Sequence, residues 1–224
     1  MSAVRVVDAA EVAAVDRYAE GLARALGFGE PPGVTALADR VWGKASVGLV
    51  ARGPAFQLVR RGTGHALFIR DDLPEAVRHW TAARELARFC LERDGAKMSS
   101  AQVGGAIVLP RAVFARCLAR GTSSQRLAEC FGIPLAVAMA READLSGLPT
   151  AIVTPKRVSI FGGADARLPR TAKHLRALAA MPTVLARWEE HGATILRPRE
   201  RAAPSVNFAR PGAVLAFRQR EVRS

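Results

Sequence analysis

The side chains suited to chemistry in this 224-residue chain are few and mostly far apart. Its four histidines, His65, His79, His174 and His191, share no helical spacing, so each reads as a surface or packed imidazole and not as a metal ligand. Cys90, Cys117 and Cys130 are odd in number, widely spaced and set in apolar helical patterns. That fits buried thiols better than a disulfide framework or a Cys-x-x-Cys metal knuckle. The sequence holds no Gly-x-Ser-x-Gly elbow, no phosphate-cradling Gly-x-x-x-x-Gly-Lys loop and no dinucleotide fingerprint. Charge gathers instead between Ile69 and Gly95, where Arg84, Glu85 and Arg88 stand close together on one predicted helix. Two arginines at i and i+4 either pair with nearby acids such as Glu85, Glu92 or Asp71, or line a groove that clamps an anion or an acidic peptide.

The same segment, IRDDLPEAVRHWTAARELARFCLERDG, resembles the ImmA/IrrE family of metallopeptidases. In that family a β-meander leads through an Asn- or Asp-containing loop into a helix that carries His-Glu-x-x-His. The resemblance implies two histidines projecting from one helical face onto zinc, with the glutamate as the general base toward zinc-bound water. Here Ala83-Arg84-Glu85-Leu86-Ala87-Arg88 occupies the motif. The glutamate is kept, but both ligand positions hold arginine, whose guanidinium stays protonated, has no lone pair to offer and repels a cation. The family's third ligand is a Glu on the next helix, ahead of an Ala/Leu-rich run ending in Pro. Counting back from Pro110 maps it onto Ser99, and Arg93 to Arg116 contains no acid except Asp94. No zinc and no other cofactor is therefore expected. Glu85 is a vestigial general-base position, and Arg84, Arg88 and Ser99 are altered ligand positions.

Ser123 to Asp144, SSQRLAECFGIPLAVAMAREAD, sets Leu127, Ala128, Phe131, Gly132, Ile133 and Ala138 where a helix-turn-helix wants its apolar positions and turn glycine. The ImmA/IrrE family carries a similar segment after its peptidase helices, which extends the resemblance from about Thr35 to Leu145. The second helix of the pair is nearly all apolar at its start and offers only Arg141 to touch DNA, a pattern that favours a packed hairpin over base readout. A net charge of +13 attracts nucleic acid or acidic protein in general. Only four of the 33 basic residues are Lys, however, and the charge is dispersed, a bias that GC-rich coding produces as readily as selection for a basic face.

Hydrophobic periodicity supplies the elements that would position these residues. Helices are predicted over Ala9 to Leu26, Thr35 to Trp42, Pro74 to about Leu91 and Ser99 to Arg120, the last restarted at Pro110. Further helices follow over Ser123 to Cys130, Pro134 to Leu145, Arg170 to about Ala180 and Val184 to Glu190. Val47 to Ala51, Phe56 to Arg60 and Ala66 to Ile69 predict a small antiparallel meander, with later strands at Ala151 to Thr154, Val158 to Phe161 and Val214 to Phe217. The expected fold class is α+β: a small antiparallel sheet packed with zincin-like helices, a helix-turn-helix-like pair over 122–145, and a small α/β C-terminal region. A boundary near Ser146 to Pro149 divides a peptidase-like part, 1–147, from an unassigned part, 148–224, that contains the Arg/Pro-rich stretch ILRPRERAAPSVNFARPG. Half the residues are hydrophobic, which excludes a disordered chain. No apolar run approaches the ~18 residues of a bilayer span, and the acidic N-terminus lacks the order of a secretory signal. A cytoplasmic protein with no membrane partner is expected.

Active ImmA/IrrE peptidases cut a helix-turn-helix repressor and release stress or mobile-element genes. With all three ligand positions altered, the expectation is a non-catalytic relative acting as a regulatory protein-binding module, its partner a helix-turn-helix transcriptional repressor. A first alternative is a nucleic-acid-binding regulator that uses the basic surface and the helical pair. A second is an active metallo-endopeptidase that recruits His79 or His65. His79 precedes Glu85 by six residues, roughly 600° of helix, and so falls on another face.

Overall fold

The most apolar of the described helices sits at the centre of the helical core. In the structure, a computed structural model describing residues 5–6, 8–28, 33–155, 158–162, 168, 172–180, 185–190 and 193–198, this is α4 (Ser100–Val108). Every residue from Gln102 through Leu109 is buried, as expected of a helix apolar on all sides. Around it pack α1 (Ala9–Ala25), α3 (Glu75–Arg93) and α7 (Leu135–Ser146). Asp8 caps α1 by accepting from the Glu11 amide at 2.7 Å, and Val12, Val15, Ala19 and Leu22 form its buried stripe. α2 (Val34–Trp42) adds Leu37, Ala38 and Trp42 to the same core. Pro110 opens α5 (Arg111–Ala119), which leaves α4 at a bend of 59°. Among the described residues no single helix is long and apolar enough to cross a membrane.

The α3–α4 crossing is close because of one glycine. A Cβ on Gly104 would lie 3.1 Å from the Cα of Arg84, tighter than ordinary contact, so the α3 backbone would have to give by a few tenths of an ångström. Gly105, its neighbour, has open space at the corresponding position.

The first sheet holds β2 (Val47–Val50), β3 (Phe56–Arg61) and β4 (Gly64–Arg70). The expected antiparallel meander is corrected in its strand order, which is β2-β4-β3, with β3 antiparallel and β2 parallel to β4. β4 carries the continuous apolar run Ala66 to Ile69 and therefore takes the centre, burying Ala66, Leu67 and Ile69. A tight turn with Gly62 at φ 58° joins β3 to β4, whereas the longer stretch 51–55 carries the chain across from β2 to the far edge.

The second sheet has the order β1-β6-β5-β8-β7, from β1 (Arg5–Val6), β5 (Thr150–Val153), β6 (Val158–Phe161), β7 (Leu185–Glu190) and β8 (Ala193–Pro198). β1 pairs in parallel with β6, so this sheet uses chain from both sides of residue 147. α8 (Ala172–Ala180) packs on it through Leu175, over a smaller core with Val158, Ile160 and Leu196. The helix predicted at Val184 to Glu190 is corrected to strand β7, paired with β8 from Leu185↔Pro198 to Glu190↔Ala193. So short a run fits either period, and the hairpin partner decides. The predicted strand Val214 to Phe217, His191 and the Arg/Pro-rich stretch beyond Pro198 lie outside the described residues. Helices and two small sheets together make the fold α+β, as the periodicity predicts.

Candidate functional site

α3 begins at the Pro74 cap and buries Ala82, Ala83, Leu86, Ala87, Cys90 and Leu91 against the core. Glu85 sits at the margin of this stripe with its side chain only 3% exposed. Each of its oxygens meets a guanidinium. Oε1 accepts from Arg84 Nε at 3.2 Å and Nη2 at 3.1 Å, and Oε2 accepts from Arg88 Nε at 2.8 Å. Arg88 continues through Nη1 to Glu92 Oε1 at 3.1 Å. The Glu85 hydrogen bond holds Arg88 above its already high ordinary pKa, with partial burial opposing. The Arg84 guanidinium also lies 5.2 Å over the Phe56 ring of β3, a cation–π contact that fixes its second face. Of the two sequence readings for Arg84 and Arg88, pairing with Glu85 and Glu92 is the observed one. The side chains remain 34% and 45% exposed, respectively.

These residues do not fit zinc. The two positions that the ImmA/IrrE resemblance would make zinc ligands hold guanidinium groups, which have no lone pair to offer, and among the described residues no group of three or more His, Cys, Asp or Glu gathers into a metal site. Ser99 is the N-cap residue of α4 and faces a cavity that it shares with Trp80, not with Arg84, Glu85 or Arg88. His79 Nδ1 lies 3.1 Å from the carbonyl oxygens of both Phe131 and Gly132, tying α3 to the turn between α6 (Ser124–Phe131) and α7. His65 packs against Phe89 with ring centroids 4.8 Å apart and the ring planes tilted by 59°. Of the cysteines, Cys90 is buried and burial pushes its thiol up to about 11, whereas Cys117 is half-buried. Cys130 is exposed, a correction to its reading as a buried thiol. α6 turns Leu127 and Ala128 inward, which leaves Glu129 and Cys130 on the outer face.

The helical pair has the turn that its sequence announces. Gly132 closes α6 in the left-handed region at φ 57°, and the Ile133 amide reaches back to Ala128 O at 3.0 Å. The pair is packed: every residue of α7 is buried or half-buried. The helix N-terminus is also occupied, since the Ala136 amide donates to Glu190 Oε2 at 3.0 Å. Arg141 as a DNA contact is therefore corrected. It is 3% exposed, ion-paired to Asp16 of α1, and donates from Nε to Leu109 O at 3.1 Å. Asp16 also accepts from Arg111 Nη1 at 3.3 Å. Sequence reasoning missed Asp16, although an acid among the stripe positions Val12, Val15 and Ala19 was a visible signal. It also missed Glu142, which accepts from Ser124 Oγ and from Arg197 Nη1, both at 2.6 Å, and so joins α6, α7 and β8.

Between α7 and the second sheet lies a mostly carbon-walled cavity of about 280 Å³. α3 contributes Trp80 to it, α4 Ser99 and Gly105, and α7 Ala136 and Ala140. Ile152 and Phe161 form part of the sheet side.

No family model matches the chain, and no curated protein does. Among solved structures it is similar to a Mycobacterium tuberculosis transcriptional regulator, with 16% identity and a TM-score of 0.48 over 69% of this chain. The match covers 56% of that regulator, so this chain spans little more than half of its length.

Proposed function

We propose that this chain is a non-catalytic relative of the ImmA/IrrE peptidases that acts as a regulatory binding module, with a helix-turn-helix repressor as its partner. The observation that carries the non-catalytic reading is the Glu85 carboxylate held between Arg84 and Arg88. Peptide hydrolysis of the family type needs a metal to lower the pKa of its water and a carboxylate aimed at that water. Two guanidiniums at the ligand positions supply neither function, and they engage the carboxylate themselves. The partner class rests on the resemblance, and the half-exposed Arg84 and Arg88 beside β3 give it a polar face on which to dock. The nucleic-acid alternative has less support, because Arg141, the one α7 side chain suited to touch DNA, is buried in an ion pair with Asp16.

The test is to incubate the purified chain with a helix-turn-helix repressor and excess zinc. The repressor is expected to remain intact and to co-elute with the chain in size-exclusion chromatography. Cleavage that disappears in Glu85→Gln would overturn the non-catalytic reading, and the absence of any complex would overturn the partner class.

A further inference from the structure

We propose that the cavity between α4, α7 and the second sheet is a binding site for a small, uncharged, predominantly aromatic molecule. The cavity is a pocket partly open to solvent. A volume of about 280 Å³ holds about nine waters, or one molecule of about ten non-hydrogen atoms. The space exists because facing positions carry minimal side chains: Ala136 and Ala140 lie one turn apart on α7, and Gly105 lines the same cavity from α4.

The walls are mostly carbon, with Trp80 and Phe161 supplying flat aromatic surface and Ser99, Thr154 and Ser159 among the polar residues that line the rest. An apolar guest that displaces poorly held water gains affinity. The two charged residues in the wall, Arg141 and Asp144, are of opposite sign, which favours a neutral guest over an ion. Arg141 is already ion-paired to Asp16 and bonded to Leu109 O, so an incoming anion would have to compete with a buried partner. The site is also preformed. Glu142 to Arg197 and Glu190 to the Ala136 amide tie α7 to the second sheet, fixing the position of the cavity walls. None of Arg84, Glu85 and Arg88 lines this space, so the proposal stands apart from the peptidase resemblance.

Trp80 provides the readout, with bromobenzene as a heavy-atom quencher of suitable size and 4-bromobenzoate as its anionic counterpart. Bromobenzene is expected to quench the tryptophan emission saturably, and Trp80→Phe to remove the saturable part. 4-Bromobenzoate is expected to bind about tenfold more weakly or worse, a difference of ~1.4 kcal/mol. Ala140→Leu and Ala136→Leu fill the space from two positions, so the test survives if one variant fails to fold. Each variant with a native circular dichroism spectrum is expected to lose about tenfold or more in bromobenzene affinity. Non-saturating quenching that is equal in the wild type and the folded filled variant would overturn the site. Tighter binding of 4-bromobenzoate than of bromobenzene would overturn the ligand class.

Discussion

Two buried carboxylates in this molecule are held by arginine, in different ways. Glu85 takes its partners from its own helix, Arg84 one residue before and Arg88 three after, and both arginines keep one side toward solvent. Asp16 takes Arg141 from a helix 125 residues away, and that arginine is 3% exposed. The chemistry is the same, but the consequences of losing it differ. A local cluster forms as soon as α3 forms, and solvent can re-satisfy the arginines if the carboxylate is lost. A long-range pair joins α1 to α7 and, through Leu109 O, to the end of α4. Removing one partner of a buried pair leaves an uncompensated charge, which costs far more than removing a solvated one. Arginine content alone therefore says little about a binding surface, since some of these cations are interior fasteners.

The largest expected effect probes the long-range pair. Arg141→Met leaves Asp16 buried with only the more distant Arg111, and should cost about 3 kcal/mol or more of unfolding free energy in urea titration. A loss below about 1 kcal/mol would place this pair on the footing of a surface salt bridge and erase the contrast.

Next come the adjacent glycines, which test how tightly α3 is seated at Arg84. Gly104→Ala drives a methyl into the Arg84 backbone and should destabilise by about 1–3 kcal/mol. Gly105→Ala meets no neighbour and should stabilise by up to about 1 kcal/mol through helix propensity. Equal signs would mean that the helices do not cross closely at Arg84.

Glu85→Gln comes third. The amide keeps the volume and one acceptor but loses the charge-assisted bonds, so about 1–2 kcal/mol should be lost with the fold intact. A loss matching that of Arg141→Met would make the local cluster as architectural as the buried pair.

The smallest effect belongs to Asp94, at the exposed end of α3. Arg93 and the Tyr18 hydroxyl hold its carboxyl below the ordinary value, the hydroxyl donating at 2.7 Å. A depressed carboxylate pKa stabilises the fold above the ordinary carboxylate range, and that contribution is lost as pH falls through the depressed value. Tyr18→Phe should therefore flatten the acid limb of stability against pH slightly, and an unchanged limb would show that the Tyr18 contact carries no linkage.

Which features were legible in the sequence follows the same division between local and distant partners. The stripes of α1 and α3, the restart at Pro110 and the Gly132 turn are local patterns, and the structure has them. The pairing of Arg84 and Arg88 with Glu85 could be anticipated because one helix turn brings the three together. The β2-β4-β3 order could not be read, because a parallel pairing depends on where the chain crosses and not on alternation within a strand. β7 was misread because six residues fit either period until β8 is placed beside them. Arg141 looked available for DNA because its partner, Asp16, lies in the first helix. The cavity is invisible in sequence, since alanines and a glycine on separate helices become a space only when the helices and the second sheet pack.

The most direct measurement is the zinc retained per chain after saturation with zinc and desalting, compared between the wild type and Glu85→Ala. With guanidiniums at the positions that the proposed ImmA/IrrE relationship would make ligands, no zinc dependent on this cluster is predicted, so the two proteins should retain the same amount. One zinc per chain in the wild type, lost in Glu85→Ala, would contradict the proposed non-catalytic role.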